Sequence, residues 1–276
     1  MKIILSRKGF DSESGGWPSP ILPDGRLISL PIPSEDFIHY SDVKVDRSKT
    51  YYDLMKELME SINYKNKKIP LTAKTGCHLD PDINFSAKER DKQWRPLFGQ
   101  IGSAQGHLNK QSVRENDLFL FFGTFQKTVQ EHGKLRFDPK EKEKHVIFGY
   151  LQIGKIIRNK KEVEEWMEYH SHCDSKRDWR KNNTVYVARE KLSWNKNLPG
   201  AGLFRYNEDL ILTAEGCSKS RWHLPDCFKG KISYHTEKCW EGNIFNSVGR
   251  GQEFVAQEDV RIEKWAKDLI EKSMIV

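Results

Sequence analysis

Apolar positions in this chain gather into short, dense runs separated by polar stretches rich in turn formers. Residues 2–6 (KIILS) read as a short buried strand. Gly9, Gly15, Gly16, Pro18, Pro20, Pro23 and Gly25 then crowd the next segment, and Pro23-Asp24-Gly25 is a tight-turn signature. Residues 27–33 form a second extended stretch, and its two prolines place it at an edge. Over 50–63 the spacing becomes helical, with Leu54, Met55, Leu58, Met59 and Ile62 on one face. Thr50 and Asp53 precede that face as a capping box, with Asp standing where Glu or Gln is usual. Lys65, Lys67 and Lys68 mark its polar exit.

The centre of the chain is strand-like. Residues 118–125 (LFLFFGTF) are continuously apolar and predict a strand buried on both faces. A charged insert around Pro139 leads to a second such run over 146–157. A short helix over 162–169, strands at 184–188, 210–213 and 254–256, and a closing helix follow. In that helix Ile262, Trp265, Ala266, Leu269 and Ile270 line one face. Strands dominate and only two helices stand out. The predicted class is α+β: a curved, mostly antiparallel sheet with a few flanking helices, in a single domain over 1–276. The run Glu115-Asn-Asp-Leu-Phe-Leu-Phe-Phe, followed by a strand carrying Gly149 and Gly154, resembles the core of PUA-like barrels. It marks a PUA-like partial barrel at about 97–190.

Composition narrows the class of protein. The 276 residues suffice for a core without staples, and 8 Trp, 14 Phe and 9 Tyr exclude a disordered chain. The net charge of +7 favours polyanionic partners only weakly, because 39 acidic residues interleave with 46 basic ones. The five cysteines are odd in number and lack CxxC spacing, and no apolar run is long enough to cross a bilayer. With a charged, strand-like start in place of an apolar signal core, these features predict a reduced, cytoplasmic setting.

Six polar groupings carry candidate chemistry. In residues 6–16, Arg7 can fork phosphate oxygens, Lys8 adds a point charge, and Ser12 offers a hydroxyl. Asp11 suits a general base or a sugar-hydroxyl acceptor, while the glycines admit close backbone approach. A surface loop ordered by Asx and Ser turns explains the same residues. His78, Asp80 and Asp82 share one side of an extended segment, as ligands for a divalent cation or as turn chemistry around Pro81. Gln100, Gln105 and His107 sit among small residues and suit a base edge or a ribose, or else an ordinary Gly-rich connection. His170 and His172 face together in extended backbone and resemble half of a transition-metal site, which Cys217, Cys227 or Cys239 completes only through a fold contact. Lys176, Arg177, Arg180 and Lys181 surround Trp179, a pattern that grips a phosphate backbone while the indole stacks on a base. Ser220-Arg221-Trp222 clamps an anion or stacks Arg221 on Trp222.

Several of these segments occur together in a familiar order. SRKGFDSESGGWPSPILPDG (6–25), CHLDPD (77–82), GQIGSAQGHL (99–108), NDLFLFFGTFQ (116–126), HVIFGYLQIGKII (145–157), HSH (170–172) and SRW (220–222) resemble the third family of nucleotide modification associated domains. The resemblance covers nearly the whole chain and implies a place beside DNA-modification and phage-conflict systems. It raises the standing of Arg7, Lys8, Asp11, His78, Asp80, Gln105, His107, His170, His172 and Arg221 without assigning any of them a role. Family members favour His-Pro-His where this chain has His170-Ser171-His172.

The leading expectation is therefore binding, and processing, of a nucleotide or modified nucleic-acid base. In it Arg7 and Lys8 hold phosphate, Asp11, His78 or Asp80 handles a proton, and Gln105 with His107 reads the base. The rival is a non-catalytic PUA-like reader that uses the aromatic strand and the Trp179 loop. A third reading is a metal-dependent hydrolase built on His78, Asp80, His170 and His172.

Overall fold

The computed structural model describes residues 1–274 apart from Arg177, Val248, Arg250 and Gly251. The N-terminal run forms β1 (Ile3–Arg7), and β2 (Ser19–Ile21) follows the turn-rich segment. Residues 27–33 add only isolated bridges, Leu27 to Ile21 and Pro33 to Cys77. Helix α1 (Tyr51–Leu58) carries the expected capping box: Asp53 N–H donates to Thr50 Oγ1 and Thr50 N–H to Asp53 Oδ2, both at 3.1 Å. The helix is shorter than its apolar pattern, because Ile62 belongs to β3 (Ser61–Tyr64) instead. That strand turns back into β4 (Lys67–Pro70) through Lys65 and Asn66, both in the left-handed region that a two-residue hairpin requires.

Beyond this hairpin come β5 (Leu97–Gln100), α2 (Gly102–Lys110), β6 (Leu118–Glu131), β7 (Lys134–Phe137), β8 (Lys144–Ile157) and β9 (Thr184–Ala188). The C-terminal third holds β10 (Ala201–Leu203), β11 (Arg221–His223), β12 (Trp240–Glu241), β13 (Ile244–Asn246), β14 (Glu253–Ala256) and α3 (Val260–Met274). The helix expected over 162–169 is two 3-10 turns, at Lys160–Glu162 and Glu165–Met167.

Among the described residues nine strands form one sheet, in the order β14-β1-β6-β8-β9-β5, with β2 and β7 also on β6 and β10 on β8. Pairing is antiparallel except that β1 and β2 run parallel to β6. The fold is the expected α+β class with a mostly antiparallel sheet, and among the described residues no barrel closes. Strand β6 explains the continuous apolar run, since both its faces are covered. Phe119 and Phe121 meet Phe98 on one side, while Phe122 meets Trp222 and Phe254 on the other. Ring burial on that scale contributes on the order of 2–3 kcal/mol per side chain. Helix α3 closes the core with Ile262, Ala266, Leu269 and Ile270, as its periodicity predicts.

At the sheet edge, β5 receives the segment that carries His78 and Asp80. Asp82 N–H donates to Leu97 O at 2.9 Å and Leu97 N–H returns to Asp82 O at 3.0 Å. The Asp82 carboxylate is tied down by two Arg90 bonds of 2.6 Å and by the Tyr169 hydroxyl, also at 2.6 Å. Asp82 therefore anchors this segment, and the expected His78–Asp80–Asp82 row is reduced to its first two members.

Candidate functional site

Two halves of one site, far apart in the chain, meet beside β5. From one side come His78 and Asp80, and from the other the turn that carries His170 and His172. Their meeting depends on Gly99. Its N–H donates to Asp80 Oδ1 at 2.7 Å, and a Cβ at this position would clash with the His172 ring, 2.3 Å from Cγ and Cδ2. Only a residue without a side chain lets the imidazole lie flat against the strand.

Hydrogen bonds fix the rings. Asn183 Nδ2 donates to the His172 carbonyl at 2.8 Å, which turns Asn183 Oδ1 toward His172 Nδ1 at 2.7 Å. An amide oxygen only accepts, so His172 Nδ1 carries the proton and Nε2 keeps a free lone pair. His78 Nδ1 likewise lies 2.8 Å from the Asp36 carboxylate, whose Oδ2 also accepts from the Ser171 hydroxyl at 2.7 Å. In its neutral form His78 is therefore another ring with Nε2 free. His78 Nε2 stands 3.9 Å from Asp80 Oδ2. His170 is oriented differently, with Nδ1 accepting from His172 N–H at 3.3 Å. Its Nε2 is buried 3.3 Å from Asp80 Oδ1, close enough for a charge contact but without hydrogen-bond alignment.

Electrostatics follow from burial and these neighbours. Burial pushes the Asp80 carboxyl up, but the close approach of His170, with His172 and His78 nearby, outweighs it and holds the carboxyl at about 2. Burial holds His172 down to about 4 against the upward pull of Asp80. At neutral pH the site thus contains a carboxylate beside a neutral His172.

Over this cluster lies a cleft of about 170 Å3, with His78, His172, Asn183, Trp179 and Arg180 in its walls. Wider hollows of about 580 Å3 near Lys2 and Arg114, and of about 720 Å3 near Glu143 and His223, bring together no such cluster of side chains. Within the cluster, His78, Asp80 and His172 each offer a ligand-type atom, and these atoms lie within 4.8 Å of one another. Among the described residues no other trio of His, Cys, Asp or Glu converges in this way, and Cys217, Cys227 and Cys239 do not join it.

The remaining candidates lie elsewhere. No residue of the 7–16 loop lines the cleft. Arg7 Nη1 donates to the Gly249 carbonyl at 2.8 Å. Lys8 is largely buried, paired with Glu253 at 2.8 Å, and its ammonium sits 4.3 Å above the Phe98 ring. Asp11 Oδ1 accepts from the Glu13 and Ser14 amides at 2.9 and 2.7 Å, an Asx turn, and the Ser12 carbonyl accepts from Asn63. Gln105 is buried between Tyr186 and Asn109, and His107 stacks on Tyr234 at 4.3 Å. Arg221 pairs with Glu241 at 2.6 Å on the small β11–β13 sheet. Lys176 is exposed and is not among the residues that line the cleft, and Arg177 lies outside the described residues.

The model of the nucleotide modification associated domain 3 family matches residues 2–257 of the 276. The chain belongs to that family. No curated protein and no solved structure matches it. The nucleotide modification associated domain therefore runs from β1 to β14 and contains every residue of the cleft and of the cluster beneath it. Among the described residues no helix is long and apolar enough to cross a membrane.

Sequence reasoning missed three residues of this domain's cluster: Asp36, Gly99 and Asn183. Asp36 is 42 positions from His78 and sits in a polar turn with no distinguishing pattern. Gly99 opens the quoted segment 99–108 but carries no side chain to draw notice, and Asn183 lies just past Lys181. Extending the Lys176–Lys181 grouping by two residues finds Asn183.

Proposed function

We propose that the cleft above His78, Asp80 and His172 binds a nucleotide or a nucleic-acid base and processes it there. One observation carries this reading. The cleft unites three segments that the sequence presents as separate candidates: His78 with Asp80, His170 with His172, and Trp179 with Arg180. The indole offers a stacking face of the kind that bases use, and the guanidinium is suited to a phosphate. A volume of about 170 Å3 falls below the roughly 300–1,000 Å3 of pockets that enclose whole drug-sized ligands. It suits one planar ring, with sugar and phosphate left at the rim beside Arg180. His78 and His172 border the cleft, so the groups that would process a bound base stand beside that ring. The family's description supports the ligand class. The DNA-modification and phage-conflict setting rests on the resemblance alone.

Calorimetric titration with free nucleotides and with short oligonucleotides carrying modified or plain bases tests the reading. Trp179→Ala and Arg180→Ala are expected to weaken binding about 5- to 150-fold, the effect of losing about 1–3 kcal/mol of stacking or a charged contact. Asp11→Ala is expected to leave it unchanged. Binding that survives both cleft substitutions but is lost in Asp11→Ala would move the site to the 7–16 loop. Tight binding without turnover would favour the non-catalytic reader.

A further inference from the structure

We infer that His78, Asp80 and His172 bind one divalent transition-metal ion, of the zinc or iron class, at the floor of the cleft. The inference rests on the cleft as the working site, but not on the ligand proposed for it.

Three features converge on this assignment. The first is the way the rings are held. Asn183 takes the Nδ1 proton of His172, and Asp36 takes that of His78. Both imidazoles are thus presented with Nε2 unprotonated, the arrangement in which an outer acceptor orients a metal-binding histidine and raises its basicity.

The second feature is the division of labour on the carboxylate. Asp80 Oδ1 is occupied by the Gly99 amide and approached by His170, whereas Oδ2 faces His78 Nε2 at 3.9 Å. One oxygen anchors the side chain and the other is left for an ion. His170, 1% exposed and with Nε2 lacking an aligned partner, acts as a positioning residue for Asp80 rather than as a ligand.

The third is the spacing and chemistry of the donors. Ligands at about 2.0–2.2 Å around a tetrahedral ion stand about 3.4 Å apart, so a trio within 4.8 Å closes on an ion by side-chain adjustment alone. Two imidazoles and one carboxylate suit zinc, iron or manganese, whereas magnesium and calcium prefer all-oxygen sites. Three protein donors leave a coordination position open toward the cleft, where a water or a substrate atom can sit.

The test is calorimetry on the full chain, stripped with chelator and titrated with Zn2+, Mn2+, Fe2+ under anaerobic conditions, or Mg2+, with no nucleotide in the cell. We expect one Zn2+ per chain and no binding of Mg2+. His78→Gln and His172→Gln are each expected to lower Zn2+ affinity at least 100-fold. Asn183→Ala and His170→Asn should lower it 10–100-fold through the outer contacts. Circular dichroism checks folding, and should His172→Gln unfold, the partly exposed His78 supplies the deciding variant. Absence of Zn2+, Mn2+ and Fe2+ binding, or Zn2+ binding undiminished in folded His78→Gln, overturns the assignment. So does Mg2+ binding as tight as Zn2+ binding. Because no nucleotide is present, either result leaves the nucleotide reading to its own test.

Discussion

Gly99→Ala is a one-methyl perturbation whose consequences can be worked from the structure. The added Cβ would stand 2.3 Å from both Cγ and Cδ2 of His172, whereas carbon atoms pack at about 3.5–4.0 Å. Gly99 is on a strand, paired with Val185 of β9, and β5 is buried along its length. The backbone cannot readily yield, so the imidazole must move by more than about 1 Å. That move breaks the 2.7 Å bond between His172 Nδ1 and Asn183 and disturbs the cluster that His172 forms with His78 and Asp80. Overpacking of this kind costs about 1–3 kcal/mol of stability. The assays are urea unfolding and zinc titration, each applied to Gly99→Ala, His172→Ala and the double variant. The expected results are a lower unfolding midpoint for Gly99→Ala, loss of zinc affinity by at least 100-fold, and partial recovery of stability in the double variant. The coupling between the two positions should be about 1–3 kcal/mol, as for side chains in direct contact. Additive stability losses, or wild-type zinc affinity in Gly99→Ala, would refute the contact as the determinant of His172 position.

Two further outcomes follow from the buried polar groups. Lys8→Met removes one partner of a buried pair and leaves Glu253, which is fully buried, uncompensated, so unfolding by urea should show a loss of about 3–5 kcal/mol; a change below 1 kcal/mol would mean that Lys8 is not structurally committed. His145 is buried, accepts a hydrogen bond from Trp222 Nε1 at 2.9 Å, and is held down to about 3 by burial, with Arg7 and Lys219 nearby. Its folded-state pKa is depressed, so its contribution is complete above the ordinary value of about 6.5 and is lost as pH falls toward 3. In that window the unfolded chain binds the extra proton, and stability should drop by about 1.4 kcal/mol per pH unit from this group. Unfolding free energies of wild type and His145→Gln, compared between pH 6 and pH 4, should diverge, with the shallower slope in the variant.

How legible the molecule is from its sequence depends on what holds each part together. Strands β6, β8 and β9 stand out because they are buried on both faces and therefore spell continuous apolar runs. Helix α2 does not, because Gly102, Ser103, Gly106 and Asn109 are weak helix formers. Tertiary burial of Gln105 and Leu108 is what makes that segment helical. Likewise Ile62 continues the helical spacing of α1 by chance while serving β3, since one apolar residue fits either period. In the site, the two His-containing motifs are visible as local spacings. Their convergence is not, because it is set by the pairing of β5 with β9 and by the bridge between Asp82 and Leu97. Asp36 and Asn183 orient the two rings by accepting at Nδ1, a role open to many carboxylates and amides, so residue type alone cannot single them out. The 7–16 loop is conspicuous in the sequence for the same residues that order it internally: Asp11 caps its own turn and Lys8 is held by Glu253.

The most direct measurement is a crystal structure of the full chain soaked with nucleotides in the presence of Zn2+. A base is expected to be stacked on Trp179 inside the cleft, with phosphate near Arg180. Ligand density beside residues 7–16, with the Trp179 cleft empty, would contradict it.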